Sequence, residues 1–160
     1  MKFKHVVITG ILTTVICSNV LAAEYEQITA GPVQSFTQKT EDASYTIFKF
    51  SLSGGISNST SSIFAAGTSS VSECVGFSKT EKAVSTVETH CTSSDSLGNT
   101  LVGASARSGA VGQTSSGKQT VEIQSGPNAG AKAECSFIPK YLKGADGTYL
   151  VVASKCKTEK

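Results

Sequence analysis

The chain has 160 residues, with 14 Lys and Arg against 12 Asp and Glu, and it has five Cys and no Trp. Lys2 and Lys4 are two of those cations, and the first acid is Glu24, so the charge beyond residue 22 balances at 12 against 12. That balance excludes a long-range electrostatic pull toward nucleic acid or an anionic membrane.

Met1 to Ala22 reads as a secretory leader. Lys2 and Lys4 form a positive start, Val6 to Val20 is mostly apolar, and Val20-Leu21-Ala22 places small residues before a cut ahead of Ala23. The expected division is therefore a signal peptide over residues 1–22 and a single β domain over residues 23–160. The apolar run is short for a membrane span and lacks a positive flank after it. The mature chain is expected to be secreted or periplasmic, with no membrane span. Cys17 follows Ile16, where a lipoprotein signal would need a small residue, so it is expected to leave with the leader.

Tyr25 to Ala30 has the look of an edge strand, broken by Gly31-Pro32 and resumed over Val33 to Gln38. Glu41-Asp42 marks a turn. Ser44 to Leu52 puts Thr46, Phe48, Phe50 and Leu52 on one face, which predicts a strand that Ser53-Gly54-Gly55 ends. Asn58 to Ser62 is polar, and Ile63 to Ala66 is a small apolar patch. Val71 to Ser78 alternates, with Val71, Glu73, Val75 and Phe77 opposite Cys74. Val84 to Cys91 returns, with Val87, Thr89 and Cys91 on one face and Glu88 and His90 on the other.

Ser94 to Asn99 is a turn, and Thr100 to Arg107 a strand of small side chains. Ser108 to Gly117 is rich in Gly and Ser and reads as a mobile loop. Gln119 to Ser125 faces Val121 and Ile123 inward. Gly126 to Gly130 turns the chain into Ala131 to Ile138, which pairs with Tyr149 to Cys156 across Gly144-Ala145-Asp146-Gly147. Lys157 to Lys160 is expected to fray.

Four cysteines remain beyond the leader: Cys74, Cys91, Cys135 and Cys156. An even count in an exported chain reads as a disulfide framework, and four cysteines allow three pairings. Cys74 and Cys91 are symmetric about Lys82-Ala83, and Cys135 and Cys156 about Ala145-Asp146, which favours two hairpins each stapled across its strands. A zinc site would need closely paired ligands, and that spacing is missing. Short strands joined by short connections predict an all-β fold: an antiparallel barrel of seven or eight strands, with a β-sandwich as the alternative. In architecture this resembles small exported barrels such as lipocalins and avidins. The early Gly-x-Trp of the former and the Trp-lined pocket of the latter have no counterpart in a chain without Trp.

The segment Gly112 to Gln119 approaches the phosphate-binding loop G-x-x-x-x-G-K-[ST] but ends on Gln and precedes a strand pattern, not a helix. His90 is the one histidine beyond the leader, and no G-x-S-x-G elbow accompanies it. Glu88 shares its face. Glu73, Glu122 and Glu134 also fall in strands, where outward placement is the expectation. Arg107 is the sole arginine and is suited to clamp an anion. Arg107, His90 and Glu88 are therefore the candidate ligand-binding residues; no catalytic set, metal site or cofactor is expected. The expected function is non-enzymatic binding of a small apolar ligand or of an exported protein partner, by a monomer or small oligomer. A structural surface subunit is the alternative, and a small hydrolase or isomerase comes third.

Overall fold

The computed structural model describes residues 22–159. The expected leader therefore lies outside the described residues up to residue 21, as does Cys17. Eight strands follow one another: β1 (Glu24–Lys39), β2 (Ala43–Ser59), β3 (Ser69–Glu81), β4 (Val84–Asp95), β5 (Thr100–Ala110), β6 (Gly117–Ser125), β7 (Lys132–Gly144) and β8 (Gly147–Thr158). Each pairs antiparallel with the next, and β8 returns to β1, so one sheet closes into a barrel. This decides between the two expected architectures, because a sandwich would keep two separate sheets.

Alternation along the strands sets the two faces. Phe48, Phe50 and Leu52 turn inward on β2, while Ile47 and Lys49 turn out; Val121 and Ile123 are more buried than their outward neighbours Thr120 and Gln124 on β6. The glycine pairs expected to break strands do not. β1 runs through Gly31-Pro32, and β2 runs through Ser53-Gly54-Gly55. The reason is close backbone contact. A Cβ on Gly31 would lie 1.7 Å from the Ser51 carbonyl oxygen, and one on Gly54 would lie 2.0 Å from that of Ile28. Glycine lets the two long strands bend sharply against each other. The β1–β2 register omits Gly31 and Pro32, so the missing proline N–H falls where no ladder bond to β2 is made.

Two further expectations are corrected. The Gly/Ser-rich connection is shorter than expected: β5 continues to Ala110 and β6 begins at Gly117, so residues 111–116 connect them. The C-terminal tail is paired, not frayed, through Glu159. The Thr158 amide donates to the Ala23 carbonyl at 2.8 Å, and the Glu159 amide to that of Lys132 at 2.9 Å. Lys157 also meets Glu24 at 2.9 Å.

Cys74 lies directly opposite Cys91, and Cys135 opposite Cys156; both pairs are disulfides, with Cα atoms 4.1 and 4.0 Å apart. All four side chains face inward. Both staples close the expected hairpins, and both are consistent with an oxidising extracellular or periplasmic compartment. The β3–β4 hairpin turns on Lys82 and Ala83, with φ of 49° and 63°, the left-handed values that a two-residue turn of this type requires.

One end of the barrel is shut. The connection at residues 60–68 folds across it, and Phe64 stacks on Tyr25 with ring centroids 4.7 Å apart. The Ser61 hydroxyl accepts the amides of Ile63 and Phe64 at 3.2 and 3.1 Å, which fixes that plug. Ile56, Leu101, Ile123, Cys135 and Cys156 pack beneath it. At the same end Asp95 accepts from the amides of Leu97 and Asn99 and from the Asn99 side chain, and Asn99 in turn accepts from the Asn128 amide. That chain of bonds ties the β4–β5 and β6–β7 turns together.

Candidate functional site: the barrel interior and its mouth

The interior is divided by chemistry. The wall from β2, β7 and β8 is apolar: Phe48, Phe50 and Leu52, then Phe137, then Leu150 and Val152. The facing wall from β3, β4, β5 and β6 is richer in polar groups: Ser70, Ser72, Thr89, Ser93, Ser105 and Gln119 stand among Val87, Leu101 and Val121. The polar side chains pair among themselves, as buried hydroxyls must. Ser72 and Ser93 bond at 2.7 Å, Thr89 bonds Ser105, and the Gln27 amide donates to Ser70 at 3.0 Å. Between the walls lies a cavity of about 120 Å³, partly bounded by the Cys74–Cys91 bridge. Two inward glycines make room for aromatic rings of the apolar wall. At Gly76 a Cβ would lie 2.2 Å from the Phe48 ring, and at Gly117 one would lie 2.3 Å from the Phe137 ring.

The other end of the barrel is open, because β6 is short. It spans 9 residues, while β5 and β7 span 11 and 13. The β5–β6 ladder ends at Ala106↔Lys118 and the β6–β7 ladder at Gly117↔Phe137. Beyond those pairs β5 and β7 face each other with no strand between them. Arg107 on β5 and Tyr141 on β7 reach across this gap: the guanidinium donates to the Tyr141 hydroxyl at 3.4 Å and to the Ser115 hydroxyl at 3.4 Å. Outside them lies a vestibule of about 400 Å³, walled by the 111–115 connection, Thr80, Ser85 and Lys140. Arg107, Pro139 and Tyr141 border both spaces, so they form the neck between cavity and vestibule.

The charges are arranged to match. All five ion pairs among the described residues, such as Lys155–Glu26 at 2.9 Å, join outward-facing side chains. Arg107 takes part in none of them. No Asp or Glu lines the vestibule, and the one acid bordering the cavity, Asp95, is held at the shut end by its turn.

The three residues singled out from the sequence are not brought together. Arg107 is at the neck. Glu88 and His90 stand on the outer face of β4, exposed, in register with Ala106 and Ala104 of β5. Glu73, Glu122 and Glu134 also face outward; Glu73 accepts from the Ser51 hydroxyl at 2.6 Å, and Glu122 pairs with Lys132 at 3.5 Å. The phosphate-loop-like segment supplies Ser115 to the neck, and Gly117 opens a strand, so no helix terminus is available to hold a phosphate. Sequence reasoning missed Tyr141 and Gln119. Gln119 shares the inward parity of Val121 and Ile123, but Tyr141 lies beyond the expected strand end at Ile138, and nothing local links it to an arginine 34 residues earlier. No protein-family model matches the chain, and no curated protein matches it significantly.

Proposed function

We propose that the protein is an exported, non-enzymatic binding protein whose barrel takes up a small amphipathic molecule through the open end. The observation that carries this is the uneven interior: an apolar wall facing one that mixes hydroxyls with aliphatic groups, reached through a neck. A buried hydroxyl is costly unless it is paired, and Ser72, Ser93, Thr89 and Ser105 are paired yet still border open space. The cavity of about 120 Å³ sets the scale. An apolar cavity of about 150 Å³ accommodates a benzene ring, so the ligand body is a single ring or a short chain, not a long acyl chain.

The outward faces of β4 and β6 carry Glu88, His90 and Thr92, and Lys118, Thr120 and Glu122. A lipid-facing barrel needs an apolar band there, so these residues weigh against a membrane span. The same mixed surface weighs against nucleic acid. Pilin-like strand exchange needs an open groove; the mutual pairing of β1 and β8 favours a monomer or small oligomer over a polymerising subunit. A hydrolase or isomerase built on His90 or Glu88 would need them inside.

The test uses a neutral ring-sized probe, benzyl alcohol, followed by ligand-observed NMR. Gly103 faces the cavity, and a Cβ there would meet its nearest neighbours at 3.4 Å, so a side chain is tolerated and projects into the space. The wild type binds the probe, and Gly103→Leu abolishes binding while keeping both disulfides. Equal binding by both proteins would sink the proposal.

A second reading, an exported protein partner docked on the outside, is favoured by one observation. Phe36 and Ile47 are 70% and 63% exposed, next to the Tyr45–Phe77 stack on the outer face of β1 to β3. Apolar side chains grouped in this way mark interaction surfaces. Gly103→Leu separates the two readings, because a partner held on the outer face survives that substitution.

A further inference from the structure

We infer that the ligand carries a single carboxylate, held at the neck by Arg107 and Tyr141, with its apolar body in the cavity. This rests on the interior being a binding cavity, as proposed above, and it names the chemistry of what enters.

Arg107 is the chain's only arginine, and it faces inward, half-buried, between the cavity and the vestibule. A guanidinium in such a place is stable when its fork is met by an anion or several acceptors. Here it has two hydroxyl contacts, both at 3.4 Å, and no carboxylate among the described residues within ion-pair distance. Five N–H donors are available on the group, so most of its capacity is open. The Tyr141 hydroxyl, which accepts from Arg107, keeps its own proton to donate. The two groups thus present donors to one point at the gap left by β6.

The surroundings choose the anion. Lys140 borders the vestibule and no acid lines it, so an anion there meets Lys140 and Arg107 without a facing carboxylate. Pro139 completes the neck, and Phe48, Val87 and Val152 are among the apolar groups lining the cavity inside it. One guanidinium balances one negative charge among these apolar groups. A phosphate ester carries a second charge that this one guanidinium does not match, because Lys140 borders the vestibule and not the cavity. The planar carboxylate also matches the guanidinium fork.

The test compares benzoate, benzyl alcohol and phenyl phosphate as probes, titrated at low ionic strength by ligand-observed NMR, on wild type, Arg107→Gln and Tyr141→Phe. Benzoate is expected to bind about tenfold or more tightly than benzyl alcohol, the scale of a charge-assisted contact. Arg107→Gln is expected to erase that preference while benzyl alcohol binds as before, which also shows that the variant is folded. Tyr141→Phe is expected to weaken benzoate alone. Equal affinity for benzoate and benzyl alcohol in the wild type, or a preference that survives Arg107→Gln, would overturn the assignment of the neck and leave the cavity standing. Phenyl phosphate binding as tightly as benzoate would overturn the carboxylate. Binding of none of the probes would overturn the cavity and this inference with it.

Discussion

Tyr25 shows how one side chain couples the barrel to pH. It is 3% exposed, stacked on Phe64, with its hydroxyl 3.9 Å from the Cys135 sulfur. Burial disfavours the phenolate and pushes its pKa well above the ordinary 10.0. Below that ordinary value both folded and unfolded chains keep the proton, and the contribution of burial is fully present. Above it the unfolded phenol ionises while the folded one cannot, so stability falls as pH rises through the folded pKa. The slope expected from one such group is about 1.4 kcal/mol per pH unit. Urea midpoints at about pH 8 and about pH 11 should show the wild type losing more stability than Tyr25→Phe. An equal loss in both would remove Tyr25 as the cause. At the same scale, the shared face of Phe48 and Phe50 and the inward parity of Val121 were legible from alternation, whereas the strand holding Tyr25 was expected only as an edge strand. The role of Gly31 was not, because what excludes a side chain there is the Ser51 carbonyl of another strand.

At the level of elements, the hairpins were the most legible part of the chain. Cysteine symmetry about Lys82-Ala83 and Ala145-Asp146 located two turns and two bridges from spacing alone, because antiparallel neighbours meet locally. The bridges span 17 and 21 residues and lie inside the barrel. Each is expected to contribute about 3 kcal/mol by constraining the unfolded chain. Cys74 is 1% exposed, whereas Cys91 is only half-buried and faces the cavity. Graded reduction followed by mass mapping should therefore open Cys74–Cys91 before Cys135–Cys156, which lies under the Phe64 plug. Simultaneous opening would mean that the two ends of the barrel unfold as one. The length of β6 was not legible. It begins at Gly117, ahead of the expected Gln119, and where pairing stops depends on both neighbours; that stop creates the gap at the neck.

For the whole molecule, closure of the sheet turns a list of alternating strands into a vessel with one shut end and one open end. The shut end is built by the 60–68 connection, whose apolar Ile63 and Phe64 stood out in the sequence as a patch without a place. The open end exists because β5 and β7 outrun β6, which sets Arg107 across from Tyr141. Neither end follows from periodicity, since each joins residues distant in the chain. The central claim is that ligands enter through this gap and rest between the two walls. Amide and side-chain NMR shifts recorded on adding benzoate test it most directly. The expected result is a set of changes confined to Arg107, Gln119, Tyr141 and Val152. Changes confined to Phe36, Ile47 and Phe77 on the outer face, with the interior unmoved, would contradict it.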